Sequence, residues 1–169
     1  TLKPVPFPQY DSPPAYTAGG GGLISTLDDY LLFARMLLNK GELNGRRYIA
    51  RETFELMTTN HLSEDQRQIP FLGMPMWSGL GFGLGLSVVM DPVKHEWMGA
   101  GSQGSFGWPG AFGTWWQADP RKNMILIFLI QNYTPLTPDM AGQAVTGARM
   151  GARVACPIFQ KMVYGALTA

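Results

Sequence analysis

The chain has 169 residues, 13 Lys and Arg against 12 Asp and Glu, a formal charge of +1, 46% hydrophobic residues and only 15% charged ones. A chain of this length buries about 70% of the surface it exposes when unfolded, enough for one domain or most of one. No basic run exceeds the pairs Arg46-Arg47 and Arg121-Lys122, so the stripe that nucleic acid requires is missing, and the longest apolar run, residues 124–130, is far shorter than the roughly 20 residues that span a bilayer.

Residues 1–22, "TLKPVPFPQYDSPPAYTAGGGG", are dense in proline and end in four glycines. They predict an extended segment that is neither regular helix nor central strand. "STLDDYLLFARMLLNKG" then carries signals at both ends of a helix: Ser25 or Thr26 as N-cap, Asp28 and Asp29 in the first turn, Lys40 in the last and Gly41 as the stop. Leu27, Tyr30, Leu31, Ala34, Leu37 and Leu38 recur at the helical period and form the expected buried stripe. An Asn-Gly turn in "ELNGRRYIA" precedes a short second helix, "RETFELMTTNHL", with Phe54, Leu56 and Met57 turned inward and His61 at its end facing the helix dipole. Residues 63–80 read as a long loop containing Phe71, Met74, Met76 and Trp77.

From Gly81 the period becomes two. "GFGLGLSVVM" and "GAFGTWWQ" alternate, "MILIFLIQ" is apolar throughout, and "ADPRKN" between the last two predicts a tight hairpin connection. Gly79, Gly81, Gly83 and Gly85 leave one face of the first strand bare, which predicts a close backbone approach or a bend. The fold class is therefore α+β: an antiparallel sheet flanked by helices, with residues 124–131 well inside it because an all-apolar strand needs cover on both faces. The tail predicts a helix starting at Thr137 and Pro138 and broken or kinked at Pro157.

Chemistry is sparse. Gly99, Gly101 and Gly104 fit G-x-G-x-x-G, but "SFGWPG" cannot open the helix that a dinucleotide site needs. "HEWMG" at His95 lacks a second histidine, and with two histidines and the single Cys156 far apart neither a metal nor a cofactor is expected. Ser105 in "QGSFG" suggests a nucleophile, with His95 as base and Asp91 or Asp119 behind it; solvated turn residues explain both more simply.

The order of the pieces, "GGGGLISTLDDYLLFARMLLNKGELNGRRYIARETFELMTTNHL", then "GFGLGLSV", then "GSFGWPGAFGTWWQADPRKNMILIFLIQN", resembles the C-terminal part of the class C beta-lactamase and penicillin-binding-protein-like serine hydrolases, over about residues 16–166. The esterases of that superfamily are nearest in pattern. The resemblance implies an acyl-enzyme mechanism with three motifs: Ser-x-x-Lys, Tyr-x-Asn, and a third that is Lys-Thr-Gly in beta-lactamases and often Trp-x-Gly in esterases. Trp108, Pro109 and Gly110 match the third, as a substrate-binding edge strand, and by the same carry-over the Ala111 N–H is an oxyanion donor. No Ser or Thr here is followed three residues later by Lys, and no Tyr two residues later by Asn. The expectation is that residues 23–169 are the C-terminal part of such a domain, that its N-terminal part with the nucleophile lies outside this chain and is a partner to it, and that the chain alone is inactive. Trp108 in place of a lysine favours an uncharged ester or amide substrate over a beta-lactam. The alternative is a non-enzymatic binding or assembly domain that uses the aromatic edge around Trp108, Trp115 and Trp116.

Overall fold

The computed structural model describes residues 15–17, 19, 23–132 and 148–167. Residues 1–22 thus lie almost wholly outside the described residues, as does the helix start expected at Thr137 and Pro138. The first element, α1 (Leu27–Leu38), is capped by Thr26, whose hydroxyl accepts from the Asp29 N–H at 3.2 Å. At its other end the Lys40 N–H donates to Leu37 O and the Gly41 N–H to Met36 O, a Schellman pair in which Lys40, not only Gly41, takes the left-handed conformation (φ 56°).

Two short strands follow, β1 (Glu42–Leu43) and β2 (Arg46–Arg47), joined through Asn44 and Gly45 at positive φ, the mirror-image turn an Asn-Gly pair favours. Helix α2 (Arg51–Met57) ends with His61 Nε2 2.8 Å from Leu56 O, so the imidazole does satisfy a helix-end carbonyl. The loop expected at 63–80 contains a further helix, α3 (Glu64–Gln68). Its signal was Ser63-x-x-Gln66: the Ser63 hydroxyl accepts from Gln66 N–H, and Gln66 Oε1 accepts from Ser63 N–H.

The alternating stretch after Gly79 is not one strand but a hairpin. Strand β3 (Leu80–Phe82) and strand β4 (Ser87–Val89) pair antiparallel across a turn closed by Gly83 N–H to Leu86 O at 2.8 Å. The bare glycine edge is used as expected. A side chain at Gly83 would strike the Met57 carbonyl, where the end of α2 comes in and accepts from Leu84 N–H. After a single turn, α4 (Pro92–His95), the chain adds β5 (Phe106–Pro109), β6 (Trp115–Asp119) and β7 (Met124–Phe128). The sheet runs β3-β4-β5-β6-β7, antiparallel throughout. Helix α5 (Ala148–Ala166) closes the described chain and continues through Pro157 rather than breaking there.

Alternation assigns the faces. Val88, Phe106, Trp116 and Ala118 look to one side, where Ala34 and Leu37 of α1 and Phe54 of α2 complete a core. Burying a leucine as fully as Leu37 is worth about 1.5–3 kcal/mol. Neighbouring Val89 and Gln117 look to the other side, toward the 71–77 loop and α5 respectively. The class is α+β as expected, with two corrections. Among the described residues strand β7 is the terminal strand of the sheet and not an interior one; α1 and α5 cover its two faces, which is why its residues are apolar at every position. Of the expected α1 stripe, Ala34 and Leu37 are buried, while Leu27 and Leu31 are exposed and Met36 is buried instead.

Because the Gly83 contact is with backbone that cannot move without unseating α2, Gly83→Ala should cost about 1–3 kcal/mol of stability. Urea unfolding of the folded protein measures it; an unchanged midpoint would show that the approach is not constraining.

Candidate functional site

The Trp108-Pro109-Gly110 stretch lies at the C-terminal end of β5, and β5 is the middle strand of five, not an edge strand. What makes a proline tolerable there is unequal strand length. Strand β4 pairs with β5 only through Ser87 with Gly107 and Val88 with Phe106, whereas β6 follows β5 as far as Trp115 with Pro109. The Ser87 hydroxyl donates to Gly107 O at 2.8 Å and the Gly110 N–H donates to Thr114 O at 2.7 Å, so alternate backbone groups of β5 face β4 and β6 in turn. The Pro109 nitrogen falls on the β4 side, beyond the point where β4 has left, and no ladder bond is lost.

After Pro109 the chain turns sharply. Gly113 N–H returns to Gly110 O at 3.0 Å with φ 85°, and Asn132 N–H holds Phe112 O at 2.9 Å. Ala111 sits at this turn, exposed, and its N–H makes no hydrogen bond among the described residues. The Trp108 ring leans on Phe82 (centroids 4.9 Å apart) and Phe71 (6.1 Å), and Phe71 and Phe82 both contact Trp77 at 5.8 Å. Phe71 and Trp77 come from the long loop read in the sequence; Phe82 was hidden in the glycine alternation. Trp115 and Trp116 lie on β6, and Trp116 belongs to the buried core against Phe106 and Tyr30. The three tryptophans therefore do not form one surface.

The Ser105 arrangement does not assemble. Ser105 is completely buried, its Oγ without an aligned hydrogen bond although the Tyr164 hydroxyl is near, and His95 Nδ1 is also buried without a partner among the described residues. Asp91 accepts from Val93 and Lys94 N–H as the cap of α4, and Asp119 from Ser102, Arg121 and Lys122 N–H and, at 2.6 Å, from the Tyr164 hydroxyl. Neither His95 nor Ser105 is a solvated turn residue. Ser105 belongs instead to a polar seam beneath α5, where Gln117 Nε2 donates to Tyr164 Oη (3.0 Å) and Ala100 O (3.1 Å), and Gln160 Oε1 accepts from Ala100 N–H. Burial pushes the Asp119 carboxyl up, but its hydrogen bonds outweigh that and hold it below the ordinary carboxylate value. Burial, and then Asp119 itself, push the Tyr164 phenol up. Burial likewise raises the Cys156 thiol to about 12, which makes it an unreactive thiol at neutral pH. A hollow beside Lys40, Glu42, Arg47 and Arg51 lies at the β1–β2 hairpin, away from these groups in sequence, and is lined by none of them.

Burial lowers His95 from 6.5 to about 4. Between those values the unfolded chain takes up a proton that the folded chain refuses, so stability should fall on acidification from pH 6.5 to 4, by at most ~3 kcal/mol. In His95→Gln this part of the pH dependence should vanish. Urea midpoints of both proteins across that range check it, and parallel curves would refute it.

Comparison with known proteins bears on the family and the fold. The Beta-lactamase family matches residues 2–146. Two curated proteins, "Uncharacterized protein MT1414" of Mycobacterium tuberculosis (strain CDC 1551 / Oshkosh) and "Protein Rv1367c" of Mycobacterium tuberculosis (strain ATCC 25618 / H37Rv), are each 46% identical over 162 residues, 95% of this chain. The chain spans 40% of the length of these relatives. Among solved structures, EstCE1, a hydrolase with promiscuous acyltransferase activity, aligns with a TM-score of 0.55 at 25% identity, over 70% of this chain and 28% of that one. With an antiparallel sheet between helices, a Trp-Pro-Gly turn at the end of its central strand and a family match over most of its length, the chain belongs to the Beta-lactamase family.

Proposed function

We propose that this chain carries the substrate-binding side of a serine hydrolase that acts on uncharged esters or amides through an acyl-enzyme. The observation that carries the reading is the exposed Ala111 N–H, unbonded among the described residues and placed directly after Trp108-Pro109-Gly110 where β5 outruns β4. An amide in that position is free to donate to an oxygen that becomes negative in a tetrahedral intermediate. Such a donor is most effective when fixed beforehand, and the two hydrogen bonds that close the 110–114 turn provide that rigidity. Trp108 presents an indole where a lysine would have offered a charge to a substrate carboxylate, which favours an ester over a beta-lactam.

The nucleophile and its base are not supplied by residues of this chain: no Ser-x-x-Lys or Tyr-x-Asn occurs in it, and Ser105 is buried and unactivated. In this reading residues 23–169 are one part of the catalytic domain, the reactive serine belongs to the rest of a longer protein, and the 169-residue chain alone hydrolyses nothing.

Two outcomes are expected. The intact parent protein should be labelled at serine by a fluorophosphonate and hydrolyse short nitrophenyl esters, and the 169-residue chain should take no label; a folded parent protein that resists labelling refutes the proposal. In the parent protein, Ala111→Pro removes the N–H and should lower kcat by roughly 100- to 1000-fold, about 3–4 kcal/mol, while Ala111→Gly retains most activity. Equal rates for the two variants would remove Ala111 from the mechanism.

A further inference from the structure

Four aromatic rings from three separate stretches close into a ring of edge-to-face contacts: Phe71 with Trp77 (5.8 Å), Trp77 with Phe82 (5.8 Å), Phe82 with Trp108 (4.9 Å) and Trp108 with Phe71 (6.1 Å). The same kind of contact links Phe54, Phe106 and Trp116 in the core under α1 and α2, but those three are buried to 6%, 1% and 5% exposure. Phe71, Trp77, Phe82 and Trp108 are all only half-buried. A quartet that served packing alone would be expected to look like the first group.

The quartet is also built to stay in place. Phe71 is fixed by a four-residue turn in which Phe71 and Met74 exchange backbone hydrogen bonds of 2.9 and 3.0 Å, with Leu72 and Gly73 at positive φ. Met76, 4% exposed, anchors the loop beneath the rings against Leu80 and Val89. Phe82 and Trp108 stand on strands. Rings held this way lose little freedom when a ligand arrives. Phe71, Trp77 and Trp108, together with Met98, pack on the buried Met76, Leu80 and Val89.

We propose that this aromatic quartet is the specificity wall of the site, and that it takes the uncharged, bulky apolar group of an ester substrate. The inference rests on the hydrolase reading above for the word substrate, and on the quartet's geometry for the chemistry it binds. Continuity comes from Trp108, which is one of the four rings and lies three residues before Ala111. Exposed ring faces carry partial negative charge, so an anionic group is disfavoured and an apolar one is packed from several sides; a cation, which such faces also attract, is told apart from it by the acetylcholine comparison below.

The test uses the intact parent protein and two pairs of esters. On the acyl side, p-nitrophenyl phenylacetate is compared with p-nitrophenyl acetate; on the alcohol side, 3,3-dimethylbutyl acetate is compared with ethyl acetate and with the cationic isostere acetylcholine. Phe71→Ala and Trp77→Ala should each lower the bulky-to-small ratio of kcat/KM at least tenfold on one side, which identifies the half of the ester that meets the wall. Phe71→Leu and Trp77→Phe, which keep apolar volume, should restore most of the ratio. An unchanged ratio on both sides, or a parent preference for acetylcholine over its uncharged isostere, overturns the proposal. A readout independent of turnover is saturable quenching of tryptophan fluorescence by the uncharged ketone 2-acetonaphthone. If the parent protein takes no fluorophosphonate label yet binds this ketone, with at least tenfold weaker binding in Phe71→Ala, the hydrolase reading fails and the wall stands. If it neither labels nor binds, both fail.

Discussion

The site depends on where β4 stops. Its pairing with β5 ends at Ser87 and Gly107, while β6 continues beside β5 to Pro109. That difference of two residues gives a central strand one open side at its end. It explains in one step why a proline is tolerated in the middle of a sheet, why the Ala111 amide emerges without a ladder partner, and why the Trp108 ring is reached by residues from outside the strand. Had β4 been longer, the same Trp-Pro-Gly sequence would have removed a ladder bond from a buried strand, a cost that sheets avoid.

The two faces of the sheet solve different problems with similar residues. On one, α1 and α2 cover Val88, Phe106, Trp116 and Ala118, and the aromatic side chains there vanish from solvent. On the other, the cover is divided between α5 and the 71–77 loop. Beneath α5 the contact is a hydrogen-bonded seam, with Gln160 and Tyr164 one helical turn apart reaching Ala100, Gln117 and Asp119. Such groups are tolerable when buried only because each polar atom finds a partner, and among the described residues of this seam Ser105 Oγ and His95 Nδ1 are exceptions. Beneath the loop the contact is aromatic and remains half open.

How much of this was legible in the sequence varies with the range of the interaction. The α1 caps, the Asn44-Gly45 turn and the Asp119-to-Asn123 connection were legible because each is decided by hydrogen bonds within a few residues. The Ser63-Gln66 capping box was equally local and could have been found in the same way. Residues 81–90 misled, because period two describes a hairpin as well as it describes one strand, and only the Gly83-to-Leu86 bond tells them apart. The all-apolar β7 misled differently: its pattern reports cover on both faces, which α1 and α5 supply, and says nothing of whether strands pair along both of its edges.

By itself the sequence determined the fold class and the family, since local periodicity, capping chemistry and the ordered run from "LISTLDDYLLFARMLLNKG" to "GWPGAFGT" are written in consecutive residues. It also showed that Ser-x-x-Lys and Tyr-x-Asn do not occur in these 169 residues. Only the tertiary structure decided that β5 is central with a free end, that Phe82 stands between Trp77 and Trp108, and that Ser105 and His95 are sealed under other elements and not exposed on a turn. Those outcomes rest on strand order, strand length and packing between segments far apart in the chain, and no window of neighbouring residues contains that information.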